Sequence, residues 1–467
     1  MIAFLEWVNS FVWGLPALAL IVGVGVYLTI KTRFSQIRLF PKAMGDFLRP
    51  VFCSDSDTDR SKRRALYTAL AATVGTGNLA GVAGAIALGG PGAIFWMWVC
   101  GFLGMVTKFS EASLAVRYRK VGADGEPVGG PMYMILRALN PCWHWLAYMY
   151  CFFGVIASFG VGNGTQINTV VSGINSALTA FGITGNPVMN LVIGLILGLL
   201  IYAVMSKGTK GIGQAAEKLV PPAALFYVVL CLMALFIKAD AVPGAFWSII
   251  TGAFSPRAAT GGVLGSFFVS LRIGASRGVF TNEAGMGTAS MAHATAAVSQ
   301  PVEQGMMGIV EVFIDTLVIC TLTALVILSS GVSIPYGVDT GIMLTSQAFV
   351  QIFGQWVSIC ISIALCLFAF ATVLGWGLYG LQCARFLFGD GCFKSFVILQ
   401  AVMAVISAVL NTGTLWLVAD IVNGLMSIPN LIVLSKLAPE VARMVYSYNN
   451  RRLPKQAPKN QFAVTRL

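Results

Sequence analysis

Apolar segments long enough to cross a lipid bilayer follow one another along almost the whole of this 467-residue chain. A spanning helix needs about 20 predominantly apolar residues. The sequence contains eleven candidate spans, at residues 11–30, 66–88, 91–116, 142–172, 187–205, 219–237, 260–296, 305–330, 352–384, 395–411 and 414–435. Backbone polar groups at membrane depth must be bonded within the protein, so only helices or closed barrels span a bilayer. Segments of this length predict an all-α polytopic membrane protein.

The composition agrees with a membrane protein and argues against other classes. Hydrophobic residues make up 57% of the chain and charged residues 10%, whereas a soluble domain carries roughly 25% charged residues. The net charge of +12 does not indicate nucleic-acid binding, because the basic residues lie in loops between apolar segments. The ten cysteines are scattered and the chain has two histidines, so a zinc site with clustered ligands is not expected.

The distribution of basic residues predicts the orientation of the chain. Of the 30 Lys and Arg residues, 25 lie at residues 31–65, 117–141, 206–218, 385–394 and from 436 onward. These regions alternate with loops that carry few basic residues, and the positive-inside rule places them in the cytoplasm. The N-terminus is then outside and the C-terminus cytoplasmic, as an odd number of spans requires. No basic region or cleavage site frames the first span, which is therefore predicted to be an uncleaved transmembrane helix.

Two of the apolar segments contain residues that interrupt a helix. In AATVGTGNLAGVAG, residues 71–84, Gly75 and Gly77 are followed by Asn78. Glycine lowers helix stability by ~1 kcal/mol per site relative to alanine and lets the backbone leave the α region. A second interrupted stretch, RGVFTNEAGMG, occupies residues 277–287. Freed backbone groups at membrane depth are tolerated only where protein, water or a ligand satisfies them, so both breaks predict a binding site inside the membrane.

The two breaks lie at corresponding places in two halves of the chain. With the first span set aside, the remaining ten spans divide into two halves, residues 66–238 and 260–435. Each half has five spans, and the first span of each half is the interrupted one. An odd number of spans gives the halves opposite orientations, which is the pattern of an inverted-repeat secondary transporter. Residues 1–65 are predicted to form an N-terminal helix and basic loop, 239–259 an external connector, and 436–467 a basic cytoplasmic tail.

The first break offers groups for an anion and for a cation. A half-helix that begins inside the membrane presents unpaired N–H groups and its positive dipole end, which suit a carboxylate. The half-helix that ends near Ala71 and Val74 leaves carbonyl oxygens for a hard cation such as Na⁺, and Thr76 and Asn78 can add side-chain oxygens. The alternative is that the glycines only allow close helix packing, since Gly77 begins a GxxxG spacing.

Side chains near the second break suit the ammonium group and the apolar part of a small zwitterion. Phe280 can cover an apolar part, Asn282 can accept a hydrogen bond from an ammonium, and Met286 can line the wall or simply pack. Gln166 can contact a ligand, or it can bond backbone freed by the glycines that precede it. Trp376 lies deeper than an interfacial anchor, which makes it a candidate to line the site.

Glu283, within the second break, has two interpretations. It can couple transport to protons, or it can form an ion pair with Arg277 or Arg272. The ion pair is favoured, because an unpaired charge at this depth is costly whereas a paired charge is common. The same reasoning assigns structural or gating roles to four other acidic residues: Glu111, Glu311, Asp315 and Asp420.

Several motifs resemble the alanine/glycine:cation symporter family of bacterial amino-acid carriers. The matching stretches are VGTGNLAGVAGAIALGGPGAIFWMW (74–98), GGPMYM (129–134), RGVFTNEAGMGTA (277–289), FIDTLVICT (313–321) and LFAFATVLGW (367–376). They extend over nearly the whole chain and include both breaks. The resemblance implies the leucine-transporter-type fold, a five-plus-five inverted repeat with one extra N-terminal helix, and Na⁺-coupled uptake of alanine or glycine.

The resemblance also implies which residues form the two binding sites. The amino-acid pocket would be lined by Thr76, Gly77, Asn78, Gln166, Phe280, Asn282, Met286 and Trp376. The sodium site would use carbonyl groups near Ala71 and Val74 together with Thr372. A pair of hydroxyl residues often occupies the corresponding helix of the family, but here the pair is Ala371 and Thr372. The sodium site therefore has one hydroxyl oxygen fewer.

We therefore expect a symporter of the bacterial cytoplasmic membrane that imports alanine or glycine with Na⁺ by alternating access. Its expected partners are the amino acid, Na⁺ and the bilayer; no cofactor, nucleic acid or obligatory protein partner is expected. The alternative is a proton-coupled carrier of a small amino acid or of another small zwitterionic solute. An intramembrane enzyme is not expected without an HExxH or Ser/His arrangement, and a channel would usually need a repeated filter around a pore axis.

Overall fold

The computed structural model describes residues 2–52, 56–122, 125–254, 267–338, 341–410 and 412–450, and these are almost entirely helical. The α-helices are α1 (Ile2–Val12), α2 (Leu15–Lys31), α3 (Ser35–Arg38), α4 (Phe40–Phe52), α5 (Asp57–Thr73), α6 (Val82–Gly89), α7 (Gly92–Tyr118), α8 (Pro131–Ala138), α9 (Trp145–Phe159), α10 (Thr165–Ala180), α11 (Pro187–Met205), α12 (Gly208–Ile237), α13 (Val242–Phe254), α14 (Phe267–Asn282), α15 (Thr288–His293), α16 (Pro301–Val312), α17 (Thr321–Ser329), α18 (Ile342–Phe353), α19 (Val357–Phe388), α20 (Phe393–Ser407) and α21 (Thr412–Asn449).

Shorter elements join several of these helices. The backbone widens into a π-helix at Gly77–Gly81, Gly160–Gly164 and Phe313–Cys320. Single 3-10 turns occur at Pro141–Trp143, Ala239–Ala241 and Asp390–Cys392. Two strands of two residues, β1 (Lys120–Val121) and β2 (Pro127–Val128), pair antiparallel. π-Helical segments are rare and often mark functional sites, and two of the three adjoin the breaks or Gln166 described below.

The predicted all-α membrane architecture is confirmed. In the described part of the chain, eight helices are each long and apolar enough to cross a membrane, and Asp57–Thr73 with Gly77–Gly89 form a bent pair that qualifies as a ninth. The first predicted span corresponds to the shorter apolar helix α2. The seventh corresponds to α14 and α15, with residues 260–266 of that prediction outside the described residues. The count of eleven spans and the division into two halves stay predictions.

The loops that carry most of the basic residues meet at one end of the molecule. Several ion pairs and hydrogen bonds join them to one another: Arg64 to Glu217 at 3.0 Å, Lys210 to Glu126 at 2.7 Å, Lys42 to the Tyr448 hydroxyl at 2.5 Å, and Arg117 to Glu440. We call this end the basic face. α13 lies at the other end, where Trp96 on α7 donates a hydrogen bond to the Ala253 carbonyl at 3.4 Å.

α19 runs through the centre of the bundle and positions the elements around the first break. Its Gly375 packs directly on α5, because a Cβ there would lie 2.8 Å from the backbone nitrogen of Ala72. Its Trp376 side chain is 1% exposed and packs on Gly162 of a π-helical segment, where a Cβ would lie 2.3 Å from the Trp376 Cβ. The glycines therefore let three elements approach one another closely at a single level of the bundle.

Candidate binding site at the two helix breaks

The first predicted break is confirmed. Ser56 caps the start of α5, because its hydroxyl accepts the Asp59 N–H. After the end of α5, Val74 has a ψ of 90° and turns the chain out of the helix. The Gly75 N–H donates to the Asn78 side-chain oxygen at 2.8 Å, so Asn78 replaces a helical acceptor. The helix resumes as a π-helix at Gly77, and the two halves meet at an angle of 51°.

Glycine is required at Gly75 because of the close approach of α19. A Cβ at this position would lie 2.4 Å from the hydroxyl oxygen of Thr372. Gly77 has more space, since a Cβ there would lie 3.4 Å from the Thr281 hydroxyl and 3.6 Å from the Phe280 ring. Because Phe280 and Thr281 precede the second break directly, the two breaks face each other.

The second predicted break is confirmed as well. α14 ends at Asn282 and α15 begins at Thr288. Between them the φ angles are positive at Glu283 (54°), Gly285 (94°) and Gly287 (76°). Glycine adopts this conformation without a steric cost, whereas a glutamate there stores backbone strain of a kind concentrated at functional sites.

A carboxylate from α7 holds the second break in shape. One oxygen of Glu111 accepts hydrogen bonds from the Gly285 N–H at 2.9 Å, the Gly287 N–H at 3.1 Å and the Asn430 amide at 2.7 Å. The same Asn430 amide nitrogen donates to the Gly285 carbonyl at 2.9 Å. The freed backbone of the second break is therefore satisfied by the protein itself.

A small cavity of about 10 Å³ lies between the two breaks. This is about the space that one water molecule needs. The cavity is lined by Ala72, Thr73, Gly75, Thr76, Gly77, Val161, Gln166, Phe280, Glu283, Thr372 and Trp376. An amino acid is larger than this cavity, so the lining side chains must separate when one binds.

Six residues of the predicted sites line this cavity: Thr76, Gly77, Gln166, Phe280, Trp376 and Thr372. Gln166 bonds freed backbone, which is one of the two roles predicted for it, and its contact with a ligand stays a prediction. Its amide nitrogen bonds the Val161 carbonyl at 3.2 Å in the π-helical segment, and its oxygen accepts the Thr76 hydroxyl at 3.0 Å. Thr73, Val161 and Glu283 line the cavity without having been predicted to do so.

The other five predicted residues do not line the cavity: Ala71, Val74, Asn78, Asn282 and Met286. The Asn78 amide nitrogen donates to an Asp315 carboxylate oxygen at 2.7 Å. The Asn282 oxygen accepts the Ala284 N–H at 2.9 Å, and its nitrogen donates to the Thr316 hydroxyl at 3.1 Å. Both asparagines thus hold the breaks in shape. Ala71 and Val74 adjoin lining residues, and Met286 is fully buried.

The ion pair expected for Glu283 is wrong. Trp376 donates its indole N–H to one carboxylate oxygen of Glu283 at 2.8 Å, and the Thr288 hydroxyl donates to the other at 2.6 Å. Among the ion pairs of the described residues, none joins Glu283 to Arg272 or Arg277. The strained backbone at Glu283 aims its carboxylate at α19 and the cavity.

The Thr372 hydroxyl is a buried polar group without a hydrogen-bond partner in the part of the chain that the structure describes. Its side chain lines the cavity beside Gly75, and the residue is 2% exposed. A buried hydroxyl oxygen is normally hydrogen-bonded, and leaving one unpaired costs about 1–3 kcal/mol. An oxygen left free at such a position suits a bound cation.

Several known proteins and one protein family are similar to this chain. A model of the sodium:alanine symporter family matches residues 1–463. The chain is 39% identical over 449 residues to the sodium/alanine symporter AgcS of Methanococcus maripaludis, covering 95% of this chain and 96% of that one. It is 36% identical over 449 residues to the probable sodium/glutamine symporter GlnT of Bacillus subtilis, covering 95% and 90%.

Among solved structures, the chain is similar to MhsT in complex with L-phenylalanine. The TM-score is 0.57 at 13% identity, and the match covers 82% of this chain and 97% of that one. At this identity the similarity concerns the fold alone. It confirms the predicted leucine-transporter-type fold.

Proposed function

The chain belongs to the sodium:alanine symporter family, and on that premise we propose that it imports alanine or glycine together with Na⁺ by alternating access. Family membership makes it a membrane transporter that couples amino-acid transport to Na⁺, and not an enzyme. The identity of the amino acid, the two binding sites and the transport cycle are the proposal.

The observation that carries the proposal is that backbone N–H groups are free at the first break and hydrogen-bonded at the second. Glu111 already occupies the N–H groups of Gly285 and Gly287. At the first break only Gly75 donates to a side chain, and no described hydrogen bond uses the N–H groups of Thr76 and Gly77. The start of a helix is an anion site, so the substrate carboxylate binds there.

Acceptor groups that line the cavity suit the substrate ammonium. Glu283 and Gln166 both line the cavity and present oxygen atoms. Phe280, Val161 and Trp376 supply apolar surface. The small cavity supports a substrate with a hydrogen or a methyl group as its side chain, because such a substrate requires the least separation of the lining residues.

The Thr372 hydroxyl supports a sodium site beside the amino-acid pocket. Na⁺ prefers oxygen ligands, and the carbonyl groups near Ala71 and Val74 are close in sequence to the cavity-lining end of α5. Ala371 supplies no side-chain oxygen, so backbone carbonyls and the Thr372 hydroxyl carry the site.

The contacts at the basic face support a closed gate on that side. On α5, Ser61 accepts the Ala297 N–H at 2.8 Å and Arg64 pairs with Glu217 at 3.0 Å. Opening toward the basic face breaks these contacts as α5 moves away. The clustering of basic loops supports a bacterial cytoplasmic membrane location with this face in the cytoplasm, the N-terminus outside and the C-terminus inside.

Uptake of labelled alanine into proteoliposomes tests the proposal. We expect saturable uptake against a concentration gradient that collapses without Na⁺, whereas a channel would not concentrate alanine. A binding titration of alanine, glycine, serine and glutamine with and without Na⁺ then identifies the substrate. Tighter binding of glutamine than of alanine would contradict the substrate proposal.

A proton-coupled carrier is the second candidate function, because Glu283 lines the cavity. Uptake that persisted without Na⁺ and followed a proton gradient would assign the coupling to this residue. In that case Glu283→Gln would abolish the proton dependence.

A further inference from the structure

A second set of buried polar groups lies outside the binding cavity, within the membrane-spanning bundle. It consists of Lys108 on α7, His293 at the end of α15, and Gln304 and Glu311 on α16, which we call the His293 cluster. All four side chains are 0% exposed, and none lines the cavity. A buried polar cluster of this kind carries a structural cost, so its groups must be matched to one another.

The hydrogen bonds of the cluster define one protonation state of His293. Its Nε2 lies 2.8 Å from an oxygen of Glu311, and its Nδ1 lies 2.8 Å from the amide nitrogen of Gln304. The other Glu311 oxygen lies 3.2 Å from the Lys108 ammonium. With Gln304 as the donor, Nδ1 is an acceptor and Nε2 carries the hydrogen, which is the neutral imidazole.

Gln304 can also serve the charged imidazole by rotating its amide. A protonated histidine donates from both ring nitrogens, so Nδ1–H then needs an acceptor. The oxygen of Gln304 has no hydrogen-bond partner among the described residues, and a half-turn of the amide brings it to Nδ1. The same rotation removes the amide nitrogen from the Lys62 carbonyl of α5, to which it donates at 3.4 Å.

We propose that His293 is a proton-binding site whose occupancy loosens the contact between α5 and α16 at the basic face. The proton enters from the aqueous phase at that face and forms an N–H bond at Nδ1. Gln304 rotates to accept this hydrogen, and its bond to the Lys62 carbonyl is lost. α5 is the half-helix that precedes the first break, so proton binding favours its movement away from the bundle.

Acceptors on both sides of the ring suit a charged imidazole. The Glu311 carboxylate lies 2.8 Å from Nε2, and the unpartnered oxygen of Gln304 is available to Nδ1. The other oxygen of Glu311 pairs with the Lys108 ammonium at 3.2 Å. Other titratable groups lie around the cluster on neighbouring elements. They are Asp46 on α4, Lys62 on α5, Arg119 directly after α7, Glu303 on α16, Asp315 on the π-helical extension of α16, and Tyr379 on α19.

The second histidine of the chain provides a matched control. His144 lies half-buried near the basic face, with its Nε2 3.3 Å from the Leu139 carbonyl. Among the hydrogen bonds of the described residues, none joins the His144 ring to α5 or to the His293 cluster. The variant His144→Gln therefore leaves a single histidine, in an otherwise unchanged full-length protein.

NMR of selectively labelled histidine in the His144→Gln variant tests proton binding directly, without substrate. We expect the His293 ring to change from neutral to charged as the pH is lowered. Adding Gln304→Glu supplies a permanent acceptor and moves the midpoint to higher pH, whereas adding Gln304→Leu removes the acceptor and moves it to lower pH. A ring that stays neutral throughout, or a midpoint that both variants leave unchanged, overturns the proposal.

Uptake into proteoliposomes tests the consequence for gating. With Na⁺ fixed, we expect wild-type uptake to vary by about threefold or more with pH at the basic face. His293→Gln keeps one donor and one acceptor, so uptake persists without that dependence, and His144→Gln behaves as wild type. Should His293→Gln retain the wild-type pH dependence, the proposal fails; should it not fold, the NMR titration decides.

This inference does not depend on which solute the protein carries. Absence of alanine uptake would contradict the proposed function and leave the NMR titration informative. A His293 ring that never charges would overturn the proton site while Na⁺-dependent uptake continued.

Discussion

The two helix breaks echo each other in sequence but are held open in different ways. At the first break a residue of the break itself, Asn78, accepts the freed N–H of Gly75. At the second break the freed N–H groups of Gly285 and Gly287 are accepted by Glu111, from a helix far away in the chain. A neutral amide thus supports one break, and a carboxylate with its formal charge supports the other.

In the proposed function, this difference gives the first break a binding role and the second break a supporting role. The carboxylate of Glu111 takes the place that a ligand anion would occupy at the second break. The first break keeps unoccupied amides beside the cavity and is free to bind. Two interrupted helices of one chain therefore need not contribute equally to a site.

The two breaks are also connected through Asp315. One of its carboxylate oxygens accepts the Asn78 amide at 2.7 Å, and the other accepts the Thr316 hydroxyl at 2.8 Å. The Thr316 hydroxyl in turn accepts the Asn282 amide at 3.1 Å. Two side chains, those of Asp315 and Thr316, thereby connect Asn78 of the first break to Asn282 of the second.

Glu111→Ala has the largest expected effect and tests the supporting role of the second break. Three N–H donors lose their acceptor in a buried place, and each unsatisfied donor costs about 1–3 kcal/mol. We expect the free energy of unfolding to fall by about 4 kcal/mol, measured as a large loss of thermal stability in detergent. Asn78→Ala should cost less than half of this, and equal losses would remove the contrast between the breaks.

Gly77→Val tests the binding role of the first break. Its side chain fills the place proposed for the substrate carboxylate, which removes charge-assisted hydrogen bonds worth about 3 kcal/mol, a loss of about a hundredfold in affinity. Alanine binding by calorimetry measures this, with membrane insertion and stability unchanged. Gly81→Ala is the control, since a Cβ there lies 3.8 Å from Thr281; unchanged affinity in Gly77→Val would exclude the proposed carboxylate site.

Thr372→Val removes the unpartnered hydroxyl next to the first break. We expect the Na⁺ concentration for half-maximal uptake to rise about tenfold, which corresponds to about 1.4 kcal/mol. Ala371→Ser, which adds a hydroxyl at the neighbouring position, should lower that concentration. Thr372→Ser serves as the control that keeps the oxygen, and a weaker Na⁺ dependence there would point to packing instead.

Trp376→Phe has the smallest expected effect and concerns the link between the second break and the cavity. It keeps an apolar ring but removes the N–H that binds Glu283 at 2.8 Å. One hydrogen bond to a charged group contributes about 1.5 kcal/mol or less at a site that water can re-enter, so alanine affinity should fall by about five- to tenfold. Trp98→Phe, outside the cavity lining, is the control.

Local features of the sequence predicted the architecture and the breaks, because apolar length and glycine placement act within one segment. The break at Gly75 and the cavity position of Gln166 follow from neighbouring residues in this way. The support of the second break does not follow from neighbouring residues, because Glu111 and Asn430 are separated by 319 positions. No periodicity within either helix indicates that the two side chains meet.

The interpretation of Glu283 failed for a related reason. Arg277 lies six positions earlier and Arg272 earlier still, so an intrahelical pair was the simplest expectation. The positive φ of Glu283 ends the helix and turns the carboxylate toward Trp376. Likewise, Asn78 and Asn282 have the polarity of ligand residues, but the breaks use their amides to satisfy backbone and Asp315.

The Asn430 amide that completes the hydrogen bonds of Glu111 comes from α21, which follows the other described helices in the chain. A ribosome makes Glu111, then Gly285 and Gly287, well before it reaches this residue. Until then the second break lacks one of the donors to its central carboxylate and one bond to its own carbonyl. The centre of the transporter is therefore completed only once α21 has been synthesised, and nascent chains cut short before α21 should be recognised by membrane quality control as incomplete.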